Sequence, residues 1–144
     1  MVDVKYTAHG SATGGGREGG AAVTDDKVLD VKLTTPKALG GQGTAGSTNP
    51  EQLFALGYSA CFLGAMRFVG NRDKINVPAD AKVEAAIGIG PRDDGQGFGI
   101  TAALTISLPG LARDQAEELV KKADIVCPYS HATKGNIDKK LTVV

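Results

Sequence analysis

The chain has 144 residues, and its 16 lysines and arginines balance 16 aspartates and glutamates, for a formal net charge of zero. That length suits a single domain, 1–144, with its own hydrophobic core. The balanced charge, with no like-charge run longer than two residues, points to no nucleic-acid or membrane-surface patch. The opening MVDVKYTAHGS lacks a basic segment followed by an apolar one, and no apolar run approaches the roughly 18 residues of a membrane span, so a cytoplasmic protein is expected.

Val2, Val4, Tyr6 and Ala8 alternate with Asp3, Lys5 and Thr7, which predicts a first strand, followed by a glycine-rich loop from Gly10 to Gly20. Leu29, Val31 and Leu33 alternate after the turn Asp25-Asp26-Lys27, so the first three short strands are expected to form a meander. A second flexible stretch runs from Pro36 to Thr48. Asn49-Pro50-Glu51-Gln52 then announces a helix. Asn49 suits the N-cap, Pro50 the first helical position, and Gln52 can reach back as in a capping box. The helix is predicted to run through Leu53, Phe54, Leu56, Phe62, Met66 and Val69 to near Asn71. Being apolar nearly all round, it is expected to be buried.

Ala81 to Ile89 and Phe98 to Leu108 alternate again, with turn residues from Pro91 to Gly97 between them, and predict a long hairpin. Ala112, Ala116, Leu119, Val120 and Ala123 follow helical spacing, with Glu117 and Glu118 ahead of Lys121 and Lys122. Pro128 stops that helix and leaves Cys127 at its end. Ile137, Lys139, Leu141 and Val143 fall on one face of a closing strand. The order βββ-α-ββ-α-β, with antiparallel sheets around a long buried central helix, is an α+β architecture.

The two cysteines hold the chemical interest. In a reducing compartment such a pair is more often catalytic, metal-binding or inert than a permanent disulfide. Cys61 falls mid-helix in GYSACFLGAM, and a free cysteine there is ordinarily a small core residue. Three features point elsewhere. Gly57, Ala60, Cys61 and Gly64 share one helical face, which lets another backbone come close and leaves the sulfur in a shaped site. Cys127 stands directly before a proline, where extended backbone is favoured and the segment can approach a partner sulfur. The chain also holds two cysteines in all, one to attack and one to resolve. In thiol peroxidase chemistry a thiolate attacks a peroxide oxygen and becomes a sulfenic acid. A second thiol must condense with it before more peroxide over-oxidises it. An unperturbed thiol titrates near about 8.5, so something must lower that value. Cys61 lies too deep in its helix to feel the dipole, which leaves a cation.

Arg17, in the run Gly14-Gly15-Gly16-Arg17-Glu18-Gly19-Gly20, is the candidate cation. It reads as a solvated loop charge or as a guanidinium that the glycines let fold over a site, paired with a thiolate and a carboxylate together. Glu51 either complements the helix N-terminus or orients Arg17. Glu51 and Cys61 stand ten positions apart, about 15 Å along a helix axis, so one straight helix cannot bring them together. Two copies of the helix crossing antiparallel about Leu56 and Gly57 would place Glu51 of one opposite Cys61 of the other. A homodimer is therefore expected.

The blocks VLDVKLTTPKALGG, TNPEQLFALGYSACFLGAM and CPYSHATKGNI resemble the organic hydroperoxide resistance family, within the wider group related to osmotically inducible protein C. The resemblance covers essentially the whole chain. It implies that Cys61 is the peroxidatic cysteine, Cys127 the resolving one, and Arg17 and Glu51 the pair that activates Cys61, at the interface of an intertwined homodimer. It also implies alkyl or fatty-acid hydroperoxides as substrates, with a lipoyl dithiol (dihydrolipoamide or a lipoylated protein) as reducing co-substrate and no bound cofactor. Where the family often carries arginine this chain has Lys134, while Glu18 after Arg17 fits the family pattern.

Other readings are weaker. Gly41-Gln42-Gly43-Thr44-Ala45-Gly46 matches a dinucleotide fingerprint in spacing, but it does not follow a strand directly and no βαβ unit surrounds it. Cys61, Cys127, His131 and His9 could make a Cys2His2 zinc site, but the ligands lack paired spacing. A structural disulfide conflicts with the expected compartment. A stress-related binding protein of the same broad group with little turnover is the remaining alternative to an enzyme.

Overall fold

Strand pairing at the N-terminus begins later than the alternation predicts. In the computed structural model, which describes residues 1–144, the first strand is β1 (Gly10–Thr13), inside the stretch read as loop. Val2, Val4 and Tyr6 are exposed and belong to no strand. Alternation gives a segment two faces but no neighbour, and a strand exists only where its backbone groups find a ladder. β1 has one, pairing antiparallel with β2 (Ala21–Thr24), Ser11 opposite Val23. β2 pairs in turn with β3 (Asp30–Lys32), which completes the expected meander. The turn between β2 and β3 is built on Asp26, which accepts from the Thr24 hydroxyl at 2.6 Å and from the Val28 N–H at 3.0 Å. These strands lie in one compact unit, Met1–Leu53, and Phe54–Val144 forms a second.

α1 (Pro50–Asp73) starts where the sequence places it, the Gln52 N–H donating to Asn49 Oδ1 at 2.9 Å. The Gln52 side chain does not close a capping box; its Oε1 accepts from the Thr48 hydroxyl at 2.6 Å. By length and composition α1 could cross a membrane, a feature that counting unbroken apolar residues misses. Its apolar residues instead supply the core of the second unit. Tyr58, Phe62, Met66 and Val69, three or four residues apart, are wholly buried, while Leu56 and Phe68 are exposed. The expectation of burial all round is thus corrected to burial along one face: composition makes a side chain willing to be covered, and only a neighbour covers it.

β4 (Lys82–Pro91) and β5 (Phe98–Ser107) form the expected hairpin, paired from Lys82–Ser107 to Pro91–Phe98. β5 is central, because β6 (Lys139–Val143) lies along its other edge. That pairing is parallel, Leu104 opposite Leu141, so the expectation of purely antiparallel sheets is corrected to one antiparallel and one mixed sheet. The reason is the connection. Between β5 and β6 the chain runs through α2 (Arg113–Val126) and α3 (Pro128–Thr133), and a helical crossover returns a strand in its starting direction. Alternate residues of β5, Ala102, Leu104 and Ile106, share one core with the buried face of α1 and with Leu119 and Ala123 of α2. Leu104→Ala, at the middle of this core, should lower unfolding free energy by about 2–5 kcal/mol. Urea denaturation followed by circular dichroism measures the loss, and a drop well under 1 kcal/mol would mean the core is less tightly shared than described here.

Candidate active site

The position of Cys127 follows from the proline after it. Pro128 has no N–H to continue α2, yet its fixed φ suits the first position of a new helix, so α2 ends and α3 begins at one junction. Cys127 is that junction, with extended backbone at φ −64° and ψ 121°. Its N–H donates back to the Ala123 carbonyl at 2.8 Å, and its carbonyl accepts from the His131 N–H at 2.9 Å. α3 was not foreseen in the sequence. Its consequence is that the Cys127 side chain is wholly buried, with Sγ 3.5 Å from Sγ of Cys61.

Both cysteines are free thiols, Cys61 partly exposed. A disulfide needs its sulfurs about 2.05 Å apart, so a two-electron oxidation that removes both thiol protons would need an approach of only about 1.5 Å. Burial pushes the Cys61 thiol above its ordinary pKa; the backbone N–H of Tyr129 opposes that push, and the neighbouring Cys127 sulfur adds to it. None of these influences is a cation.

Aromatic rings brace the pair. Tyr129 stacks on Phe54 with centroids 5.6 Å apart, and Tyr58 meets both rings at 5.8 Å. Gly57 makes this possible, since a Cβ there would lie 2.9 Å from the Tyr129 hydroxyl. The face of Gly57, Ala60, Cys61 and Gly64 therefore receives a side chain at Gly57 rather than another backbone, and nothing lies within 4 Å of a Cβ built at Gly64. Tyr58 and Ser130, both buried, share a hydrogen bond between hydroxyls of 2.9 Å. Sequence reasoning missed Tyr58, Tyr129 and Ser130. The only available sign was their position near the cysteines, because buried polar pairs have no periodicity.

Arg17 and Glu51 meet in the first unit. Arg17 sits in a single 3-10 turn, Gly16–Glu18, that closes back on β1 so tightly that a Cβ on Gly20 would fall 2.0 Å from the Thr13 carbonyl. The Thr35 hydroxyl donates to the Arg17 carbonyl at 3.2 Å. The guanidinium then donates twice to one carboxylate, Nη1 to Oε2 of Glu51 at 2.7 Å and Nη2 to Oε1 at 2.6 Å. Arg17 is thus an ion-paired residue and not a free loop charge. Hydrogen bonding to Arg17 holds the Glu51 carboxyl below its usual range, and the same bonds raise Arg17. The structure brings together Arg17 with Glu51 in one unit and Cys61 with Cys127 in the other. No third His, Cys, Asp or Glu gathers with the two sulfurs, so the donors form a dithiol and not a Cys2His2 set.

A family model described as OsmC-like protein matches residues 41–142. The chain belongs to the OsmC-like family. The organic hydroperoxide resistance protein of Xanthomonas axonopodis pv. citri is 54% identical over 140 residues, covering 97% of this chain and 95% of that one. Among solved structures, an organic hydroperoxide resistance protein from Elizabethkingia anophelis, with crystallant-derived thiocyanate bound, superposes with a TM-score of 0.90 at 43% identity, covering 99% of this chain and 98% of that one. The organic hydroperoxide resistance protein OhrB of Bacillus subtilis gives 0.87 at 39% identity, covering 98% and 100%. The α+β architecture of this OsmC-like chain is therefore that of known organic hydroperoxide resistance proteins.

Because Arg17 depresses the Glu51 pKa, the stabilisation that Glu51 gains is complete above the ordinary carboxylate range and is lost as pH falls through the lowered folded value. The melting-temperature gap between wild type and Glu51→Gln should be full at neutral pH and close as pH drops below about 4. A gap that stays constant through acid would show that the carboxylate charge is not what Arg17 recognises.

Proposed function

We propose that this protein is a cysteine-based peroxidase that reduces organic hydroperoxides, with Cys61 as the attacking thiolate and Cys127 as the resolving thiol. The observation that carries this reading is the 3.5 Å separation of two free sulfurs drawn from distant parts of the chain. The names of the relatives from Xanthomonas, Elizabethkingia and Bacillus point to organic hydroperoxides as the oxidant. In the first step the Cys61 thiolate attacks a peroxide oxygen, the O–O bond breaks, the alcohol departs with a proton, and Cys61 becomes a sulfenic acid. In the second, the Cys127 sulfur displaces that oxygen as water and the disulfide forms. The unequal exposure of the two cysteines suits this order. Peroxide can reach Cys61, while wholly buried Cys127 is kept from it until resolution.

Attack requires an ionised sulfur, and burial works against it. In this reading Arg17, held in orientation by Glu51, supplies the positive charge that offsets burial. The separation of Glu51 and Cys61 along a helix, about 15 Å, leads us to a homodimer in which Glu51 completes the partner's site. Leu56, Ala60, Gly64 and Phe68 support a helix crossing there, because they form an exposed row without charge at spacing four along α1, small at its centre. The disulfide would be reopened at Cys61, the reachable sulfur, by a slim dithiol such as a lipoyl arm, in a cytoplasm that keeps both thiols reduced.

Intact mass after one equivalent of tert-butyl hydroperoxide should show the loss of two hydrogens, and Cys61→Ser should show no loss and no peroxide consumption. An unchanged wild-type mass refutes the cycle. Cys127→Ser should complete one turnover and then hold or over-oxidise its sulfenic acid. Arg17→Ala should raise the pH at which Cys61 ionises, read from thiolate absorbance, and slow peroxide consumption by about 10- to 100-fold at neutral pH, the range of roughly one to two pKa units. Identical pH–rate profiles for Arg17→Ala and wild type would remove Arg17 from the reaction.

A further inference from the structure

Tyr58 precedes Cys61 by three residues in α1, and Ser130 follows Cys127 by three residues in α3. Their hydroxyls meet at 2.9 Å, so one hydrogen bond ties together the two segments that carry the sulfurs. Both residues are buried, Tyr58 at 0% and Ser130 at 1% exposure, and each hydroxyl would lack a partner without the other. Phenylalanine and alanine would fill the same space without that cost. What the hydroxyl pair adds is direction, since a hydrogen bond fixes distance and angle where apolar contact tolerates sliding. One further contact holds the same register: the Tyr129 ring occupies the space above Gly57.

Cys127 joins two helices through extended backbone, and disulfide formation would bring its sulfur and that of Cys61 about 1.5 Å closer. We propose that the Tyr58–Ser130 hydrogen bond is a positioning clamp that keeps Cys127 poised against Cys61 and so sets the rate at which the Cys61 sulfenic acid is resolved. This rests on the peroxidase reading above. The step it governs is the attack of the Cys127 sulfur on the oxidised Cys61 sulfur: the S–S bond forms, the S–O bond breaks, and the thiol proton leaves with the oxygen as water. The hydroxyls of Tyr58 and Ser130 bond to each other and not to either sulfur, so they act here as positioning residues. Without the clamp, α3 swings, the sulfenic acid waits longer, and a second peroxide takes it to the sulfinic acid.

The test separates the two steps. Wild type, Tyr58→Phe, Ser130→Ala and the double variant are mixed with tert-butyl hydroperoxide, quenched over time with a sulfenic acid trap, and read by intact mass. The clamp predicts sulfenic acid formation at the wild-type rate in every variant and disulfide formation slowed by about tenfold. It also predicts that the double variant is no slower than either single, because losing one partner already breaks the bond. Excess peroxide should then leave sulfinic acid at Cys61 in the variants and disulfide in wild type. Disulfide formation at the wild-type rate in the variants overturns the clamp and leaves the peroxidase reading standing. Parallel slowing of both steps also overturns it, since that is general loosening. If wild type itself forms neither sulfenic acid nor disulfide, the peroxidase reading falls and the clamp with it. Should Tyr58→Phe fail to fold, Ser130→Ala carries the same comparison from the other partner.

Discussion

A proline cannot donate a hydrogen bond, yet it is well suited to open a helix, and the arrangement of the two sulfurs depends on both properties at once. Pro128 ends α2 for want of an N–H and starts α3 with its fixed φ, so the two helices meet at one residue of extended backbone, and that residue is Cys127. Its side chain is wholly buried. The same crossover returns the chain to β5 as a parallel strand, which closes the sheet over the core that α1 and α2 share. Placement of the Cys127 sulfur is thus a consequence of one local rule.

Burial has opposite effects at the two cysteines. For Cys127 it is protection, since a sulfur without solvent contact meets neither peroxide nor stray thiols. For Cys61 it is a cost, since removing water from a thiolate raises its pKa, and the second sulfur nearby does not help. At Cys61 the same packing that holds the pair at 3.5 Å therefore works against ionisation. In the proposed cycle the counterweight comes from Arg17, whose guanidinium is already oriented by two hydrogen bonds to Glu51 and by a loop with little freedom to relax. The division between a preformed ion pair and a preformed dithiol would allow the charge to arrive without reorganising either.

The polar contacts around the sulfurs have a different character from the surface ion pairs. Lys82–Glu84 and Arg113–Glu117 join exposed groups close in sequence and contribute little. Tyr58–Ser130 joins buried groups 72 positions apart. In a small core, one such bond specifies register more sharply than several apolar contacts, because it is satisfied at a single geometry.

The sequence by itself determined most of the local elements and singled out the two cysteines. Asn49-Pro50 started α1 where the cap chemistry says, the alternation of 82–91 and 98–107 made a hairpin, and Pro128 marked Cys127 as the end of a helix. These follow from rules that act over a few residues: missing N–H groups, side-chain caps and the period of a strand. Tertiary structure alone decided that Val2 to Ala8 find no partner strand in this chain while Gly10–Thr13 do, that α1 is covered on one face, and that β6 runs parallel to β5. It alone set Tyr58 against Ser130 and one sulfur against the other. Those outcomes depend on which surfaces meet after the chain has reversed several times, and no short window of sequence contains both partners of such a contact.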